Sequence, residues 1–226
     1  MSRAQRTSTR ETGRRSGRRA QAPRPGPRSK RDQILDAATE YFGRYGYEET
    51  KWADVAAAVG IGPTALYHYF ESKQHCLYEV MSRAIATALE RFERIEAAQP
   101  DWNKALLELL SSGFDLTQKE VHEYRVLLAE HGRLGARRAP SREETARKTV
   151  RAQKREYEAG WARFLSRGMD EGVLPSTDPQ LLARSLLGLY NSVWTWYRPG
   201  GALSLEALAG FVTSRELALL GLGDFG

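Results

Sequence analysis

The segment IGPTALYHYFESK, residues 61–73, concentrates side chains that can form hydrogen bonds with a polar partner. Its four consecutive rings, Tyr67 to Phe70, would point around the whole circumference of a helix, so some of them must face water or a partner. Tyrosine hydroxyls, the histidine and Lys73 can donate to phosphate oxygens, and a side chain as short as that of Thr64 can reach a base edge. Phe70 has no polar tip and is expected to turn inward. This composition favours nucleic-acid recognition.

Two short helices joined by a glycine turn are predicted to hold this segment. Thr50 is a candidate N-cap for a helix over KWADVAAAV, which Gly60 ends. Gly62 is the next candidate N-cap, with Pro63 at the first helical position, where its missing N–H costs nothing. This spacing is typical of a helix-turn-helix. The alternative, from the residues alone, is a plain helical hairpin whose tyrosines cover the rim of a core.

A helix-turn-helix places the N-terminal half of its second helix against base edges in a major groove. Thr64 and Ala65 would lie there, and Ala65 could touch a thymine methyl group. Tyr67 and Tyr69 carry hydroxyls for phosphate oxygens, and His68 can donate to a phosphate or a base.

The basic charge of the chain is concentrated at its N terminus. Residues 1–31 hold eleven Lys and Arg residues and one acid, Glu11, a net charge of +10; the whole chain carries +6, so the other 195 residues sum to −4. Because residues 1–27 are rich in Ser, Gly and Pro and poor in apolar side chains, we expect a disordered basic arm. It is either a solubilising extension or an arm that contacts phosphates.

From Ser29 onward, apolar residues recur with a helical period almost everywhere, and we find no strand pattern, internal repeat or glycine-rich phosphate loop. The predicted fold is all-α, with an N-terminal three-helix helix-turn-helix head and a six-helix body. The predicted division is a basic arm (1–27), a DNA-binding domain (28–73) and a body (74–226). Ser29, Ser72, Asp101 and Ser204 are the candidate N-caps of the first, fourth, fifth and ninth helices. Helices are also expected around residues 120–132 and from about 142 to 171, with an exposed loop around residues 132–148.

Several other classes of protein are disfavoured. Cys76 is the only cysteine, which excludes an internal disulfide and fits a reducing cytoplasm. The chain has neither an apolar run of about eighteen residues nor a secretory signal. His122 and His131 are not at a metal spacing and are expected on the surface, and no nucleophile signature is present. We therefore expect a cytoplasmic protein that is not an enzyme and needs no metal or cofactor.

The segment from Ser29 to about Ile85 resembles the DNA-binding head of TetR-type transcriptional repressors. The resemblance rests on a first helix ending in glycine and an aromatic residue, a threonine-capped second helix, a Gly-Ile turn and the pattern LYHYF-x-SK-x-x-L. Many members have Ser where this chain has Gly62, so a hydroxyl contact there is absent. Together with the residues' own chemistry, the resemblance implies DNA contacts at Thr50, Lys51, Pro63, Thr64, Ala65, Tyr67, His68, Tyr69 and Lys73.

A dimer is expected because one reading helix per chain needs a two-fold partner to span successive grooves of double-stranded DNA with an inverted repeat. The eighth and ninth predicted helices are too broadly apolar for one side of a monomer's core, so they are predicted to form a four-helix bundle across the homodimer axis. The candidate interface residues are Trp194, Arg198 and Phe211.

The segment GLYNSVWTWYRPGG, residues 188–201, is similar to the eighth-helix ending of a TetR subgroup of fatty-acid, aromatic and steroid catabolism regulators. Several of these are released from DNA by CoA thioesters, so the resemblance implies an acyl-CoA effector. Arg125 and the arginines up to 147 would suit its phosphates, Trp161 the aromatic lining, and Asn191 a thioester or pantetheine carbonyl. The alternatives are an uncharged aromatic effector, as in multidrug-sensing members, and a helical interaction protein that does not bind DNA.

Overall fold

The computed structural model describes residues 29–135 and 141–223, and every regular element in these ranges is helical, as predicted. None of the helices described combines the length and apolar character needed to cross a membrane. The arm predicted for residues 1–27 lies outside the described residues. The elements are α1 (Lys30–Tyr45), α2 (Trp52–Ala58), a 3₁₀ turn (Pro63–Ala65), α3 (Leu66–Tyr69), α4 (Lys73–Ala98), α5 (Trp102–Ser112), α6 (Gln118–Ala129), a second 3₁₀ turn (His131–Gly135), α7 (Arg142–Asp170), α8 (Pro179–Trp196) and α9 (Leu205–Leu219).

Side-chain caps begin four helices where the sequence predicted them. In each case the cap's oxygen accepts a hydrogen bond from the backbone amide three residues further on, which satisfies a donor that has no acceptor within the helix. These caps are Ser29, Ser72, Asp101 and Ser204.

Thr50 does not cap α2, contrary to the prediction. The helix begins after Lys51 with no side-chain cap. The hydroxyl of Thr50 instead donates to the carbonyl of Gly46 at 2.8 Å, and only 3% of the residue is exposed. Gly46 ends α1 with a φ of 88°, a conformation that glycine adopts without strain. Thr50 therefore closes the turn that leaves α1.

Helix α7 begins at Arg142 and ends at Asp170, in agreement with the seventh helix predicted from about 142 to 171. The predicted exposed loop over 132–148 therefore overlaps the first turns of this helix. Ser141 caps it and acidic residues in its first turn complement the helix dipole. Helix α6 also begins slightly earlier than expected, because Thr117 and Glu120 form a capping box.

The head and the body share a continuous core. One cluster of buried side chains extends from Ile34 in α1 to Val126 in α6 and Val150 in α7. Helices α1 and α6 approach closely at Gly43, where a Cβ atom would lie 2.7 Å from the side chain of His122. His122 is therefore buried, and its predicted surface position is wrong.

The rest of the body packs around a second core between α5, α7, α8 and α9. Trp102 stacks on Phe164 with ring centroids 5.1 Å apart, and its Nε1 donates to the Phe164 carbonyl at 2.9 Å. Helix α7 can approach this closely because a Cβ at Gly168 would lie 2.4 Å from the Trp102 ring.

Candidate nucleic-acid interface and body cavity

The turn between α2 and α3 fixes how these two helices cross. Gly60 has a φ of 69°, and the amide of Ile61 donates to the carbonyl of Ala56 at 3.0 Å. Leu66 and Phe70, on the inner side of α3, are both fully buried. Phe70 thus turns inward as predicted, and the helix pair has a rigid base.

The outer side of the first 3₁₀ turn and α3 carries a contiguous group of predicted DNA contacts. Four of these residues are exposed and the fifth, Ala65, is half-buried. Tyr67 is 56% exposed, which is unusual for a side chain that contributes so much apolar area when it is buried. We call this group the reading face; it comprises Pro63, Thr64, Ala65, Tyr67 and His68.

The other predicted contacts differ in how accessible they are. Lys51 is exposed directly before α2. Tyr69 is half-buried and packs against the core of the head. Thr50 is buried with its hydroxyl inside the turn, so the structure gives it a structural role in place of the predicted phosphate contact.

Lys73 lies at a junction between the head and the body. Its Nζ donates to the Glu48 carbonyl at 3.2 Å and lies 4.3 Å from the centre of the Tyr47 ring. Arg133, in the second 3₁₀ turn, lies 4.6 Å from the same ring and forms an ion pair with the Glu48 carboxylate. The loop that precedes α2 is therefore held by the turn at 131–135.

A second junction joins α3 to the start of α7. Arg142 Nη2 donates to the carbonyl of Tyr69 at 2.8 Å, and the amide of Glu143 donates to the carboxylate of Glu71 at 2.8 Å. Residues of the 131–135 turn and of the start of α7 thus contact the head both before α2 and directly after α3.

The body contains a cavity of about 650 Å³, within the range typical of small-molecule sites. It lies between α4, α6, α7 and α8, and two residues of the turn at 131–135 also line it. Among the residues described, we find no group of three or more side chains suited to hold a metal. The apolar and aromatic walls include Ile85, Ala88, Tyr124, Leu127, Leu128, Leu134, Tyr157, Leu187 and Tyr190; the polar side chains are His131, Lys154, Glu158, Arg184, Asn191, Ser192 and Thr195.

Of the three predicted ligand contacts, only Asn191 lines this cavity. Trp161 does not, because it packs in the body core between Phe92 and Phe164, with ring centroids 5.3 and 6.1 Å away. Arg125 lies on another face of α6, where burial and then the neighbouring Arg198 lower its pKa.

The cations at the rim of the cavity are ones that sequence reasoning missed. Lys154 and Arg184 are exposed and flank Glu158, with N–O distances of 3.4 and 3.8 Å. In the sequence, Lys154 and Arg184 look like ordinary solvent-exposed charges on their helices.

Three of the arginines predicted to bind phosphates have other partners. Arg133 and Arg142 contact the head, as described above. Arg147 is buried, with its guanidinium paired to the Glu144 carboxylate at 2.8 Å. The predicted phosphate role is therefore wrong for these three, and Arg137 and Arg138 lie outside the described residues.

The outer surface of α8 and α9 is the most apolar exposed surface in the described chain. Of the eight large apolar side chains that are exposed in the described ranges, five lie on these helices or on the turn between them, and Phe211 is 62% exposed. Such a surface is typical of an interface. The five are Leu181, Trp196, Leu203, Phe211 and Leu219.

Trp194, in contrast, is an incorrect interface prediction. Only 1% of it is exposed, and its ring packs 5.8 Å from that of Tyr124 and 5.7 Å from that of Tyr190. Trp196, two residues on, faces outward. Arg198 is exposed, and its Nη1 donates to the carbonyl of Tyr197 at 3.2 Å.

Glu216 of α9 is a buried carboxyl that is 1% exposed, and its Oε2 has no hydrogen-bond partner among the described residues. Burial raises the pKa of Glu216 to about 8. It lines a small chamber of about 20 Å³ that also includes Tyr157, Trp161 and Tyr190. Burial also raises the pKa of both tyrosines, so neither hydroxyl ionises near neutral pH.

Because the pKa of Glu216 is raised, we expect the free energy of unfolding to depend on pH in an unusual way. Between the ordinary pKa of 4.5 and about 8, the folded state holds a proton on Glu216 that the unfolded state has lost. The free energy of unfolding should therefore fall as pH rises, by about 1.4 kcal/mol per pH unit from this group. Denaturant titrations should show that E216Q loses this fall, whereas E206Q, at an exposed glutamate on the same helix, keeps it. Equal slopes in wild type and E216Q would contradict the assignment.

Two separate segments of the chain match known protein families. Residues 34–80 match the family described as "Bacterial regulatory proteins, tetR family", and residues 119–220 match "Tetracyclin repressor-like, C-terminal domain". The HTH-type transcriptional repressor KstR2 of Mycolicibacterium smegmatis is 27% identical over 184 residues, which cover 80% of this chain and 85% of that protein.

Solved structures share the fold. PfmR, a TetR family transcriptional regulator from Thermus thermophilus, superposes with a TM-score of 0.70 at 25% identity, covering 83% of this chain and 97% of that one. AibR in complex with isovaleryl coenzyme A and operator DNA gives 0.69 at 22% identity, with the same coverage, and this likeness concerns the fold alone.

Proposed function

Because the chain belongs to the TetR family of transcriptional repressors, we propose that it binds operator DNA as a homodimer and that a CoA thioester in the body cavity releases it. In this proposal residues 28–73 read the DNA, and residues 74–226 bind the effector and dimerise.

The reading face is the observation that supports DNA binding most strongly. Its side chains project from a helix whose other side is held by the buried Leu66 and Phe70. Thr64 lies at the N-terminal end, where a reading helix meets base edges, and Tyr67 lies where a hydroxyl can reach the backbone. Lys51 adds an exposed positive charge beside the N terminus of α2, which also favours a phosphate.

The apolar surface of α8 and α9 supports dimerisation. A C2 dimer buries the same patch on both subunits, and two helices from each chain suffice for a four-helix bundle. Phe211 and Trp196 are the proposed contacts, with Arg198 at the edge.

The cavity supports a CoA thioester as the effector class. Its tyrosine- and leucine-lined interior suits an acyl group, Asn191 can bind a carbonyl, and Lys154 and Arg184 at the rim offer two cations for phosphates. In AibR the same fold holds isovaleryl coenzyme A. The family resemblance of residues 188–201 points to the same class.

The turn at 131–135 can couple the cavity to the reading face. His131 and Leu134 line the cavity, whereas Arg133 between them contacts Tyr47 and Glu48 in the loop before α2. An effector that displaces this turn changes the contacts of the head. It releases DNA only if it binds the displaced state more tightly, with a typical coupling of about 1–3 kcal/mol.

We expect R133A to weaken this coupling. A cation–π contact and an ion pair at a half-buried arginine together contribute about 1 kcal/mol, so the effector-induced loss of DNA affinity should shrink about fivefold. The measurement is the Kd for DNA with and without saturating thioester. R163A, at an exposed arginine of α7 paired with Glu156, should behave as wild type. An unchanged ratio in R133A would contradict the role of the turn.

We expect the basic arm to strengthen DNA binding without choosing the site. Deletion of residues 2–27 should lower affinity for all duplexes and reduce the salt dependence, by about 0.9 in the log–log slope for each lost phosphate contact. An arm with Gln in place of Arg should behave as the deletion does. An altered consensus after deletion would show instead that the arm reads the minor groove.

Selection of bound duplexes from a random pool, followed by release with a panel of acyl-CoAs, their free acids and uncharged aromatic compounds, tests the proposal. We expect an inverted-repeat consensus and release by thioesters alone. Release by free acids or aromatic compounds, without thioester binding, would remove the CoA assignment and leave the DNA-binding assignment intact.

A further inference from the structure

The small chamber behind the main cavity contains a polar group that the fold does not use. The Oε2 atom of Glu216 is fully buried without a hydrogen-bond partner among the described residues. The Trp161 Nε1 atom lies near the Tyr157 hydroxyl but also makes no hydrogen bond of ordinary geometry. Buried polar atoms nearly always have a partner, so the unpaired Glu216 oxygen at this chamber indicates an occupant that the chain itself does not supply.

The chamber adjoins the main cavity. Tyr157, Leu187 and Tyr190 line both spaces, so they form the wall between them. Tyr190 is fixed in this wall, because its hydroxyl donates to the carbonyl of Gly113 at 2.7 Å and a Cβ at Gly113 would lie 2.9 Å from its ring.

The size of the chamber limits its occupant to a single small group. A volume of about 20 Å³ is room for one water or one oxygen-sized substituent. An apolar group in the chamber would leave the buried Glu216 carboxyl without a hydrogen bond, which costs free energy.

We propose that the chamber receives an oxygen at the far end of the effector, a hydroxyl or a keto group, which hydrogen-bonds to Glu216 and Trp161. This oxygen replaces a water in the chamber, which borders the main cavity at Tyr157, Leu187 and Tyr190. This inference rests on the main cavity being the effector site, and it narrows the ligand class to molecules that are oxygenated at the end opposite their anionic group.

The chemistry of Glu216 suits such an oxygen. At neutral pH its raised pKa keeps the carboxyl protonated, so it can donate to a keto oxygen or accept from a hydroxyl. A water is displaced without loss when the incoming group reproduces its hydrogen bonds.

The test uses CoA thioesters of straight-chain acids from about six to twelve carbons, each unsubstituted, ω-hydroxylated or ω-aminated, together with the free acids. Calorimetry with wild type should show, at one chain length, that the ω-hydroxy thioester binds about tenfold more tightly than its unsubstituted partner, as expected for one buried hydrogen bond. E216L should abolish this preference, the isosteric E216Q should keep part of it, and E206Q should leave it unchanged.

The possible failures are distinguishable. If unsubstituted or ω-amino thioesters bind best at every length, or if E216L keeps the hydroxyl preference, the inference is overturned while the CoA proposal stands. If only free acids bind and the ω-hydroxy acid is preferred, the CoA proposal fails and the chamber assignment stands. A crystal structure of the free protein tests the inference without a ligand. We expect an ordered water hydrogen-bonded to Glu216 Oε2, and a side-chain partner in its place would overturn the inference.

Discussion

F211E should dissociate the dimer and abolish operator binding. Phe211 is the most exposed of the large apolar side chains described, and it lies on the α9 surface that also presents Leu219. An aromatic anchor at the centre of an interface contributes at least about 2 kcal/mol, and each dimer contains two, so the dimer dissociation constant should rise about 1,000-fold. Two glutamates facing each other across the axis add a like-charge penalty.

Sedimentation velocity at micromolar concentration and DNA titrations of the same samples measure the two effects. L107E is the matched control, because Leu107 is an exposed leucine on α5 and belongs to neither α8 nor α9. It should stay dimeric and bind DNA as wild type does. A dimeric F211E, or a monomeric wild type, would show that the apolar surface has another purpose.

Y67F should weaken binding to every duplex by about 100-fold or more. The substitution removes only the exposed hydroxyl of the reading face, and a hydrogen bond to a charged phosphate contributes about 1.5–3 kcal/mol. Because a homodimer makes the contact twice, the loss should be about 3–6 kcal/mol. The slope of affinity against salt should not change, since tyrosine carries no charge that would displace a counterion.

Two variants bracket this result in fluorescence anisotropy titrations over a range of salt. K51A should reduce the salt slope as well as the affinity, because Lys51 carries an exposed charge. Y45F should leave both unchanged; Tyr45 is as exposed as Tyr67 but lies at the end of α1. Wild-type affinity in Y67F would remove Tyr67 from the interface.

The helix-turn-helix was predictable because its signals are local. Gly60, Gly62 and Pro63 act through backbone conformation alone, and the inward turn of Phe70 follows from its lack of a polar tip beside polar neighbours. The Thr50 prediction failed because this side chain has two possible local roles. Thr50 looks like an N-cap in sequence, yet its hydroxyl finds the Gly46 carbonyl across a turn.

The cavity was less predictable because residues far apart in the sequence line it. Trp161 packs on Phe92 of α4 and Trp194 packs on Tyr124 of α6, so only the packed helices show that both belong to the core. Lys154 and Arg184 come from different helices, so their meeting at one rim leaves no pattern in the sequence. Asn191 was found because a family resemblance, rather than a spacing, singled out its segment.

The most direct test of the account compares two duplexes of identical composition: the selected inverted repeat, and the same duplex with one half-site reversed. At near-physiological salt, the full-length dimer should bind the inverted repeat at least about 100-fold more tightly, since a two-fold symmetric dimer can place both reading faces in register only on the inverted repeat. Equal affinity for the two duplexes, or no preference over random DNA at low salt, would contradict the claim that this chain is a dimeric operator-binding repressor.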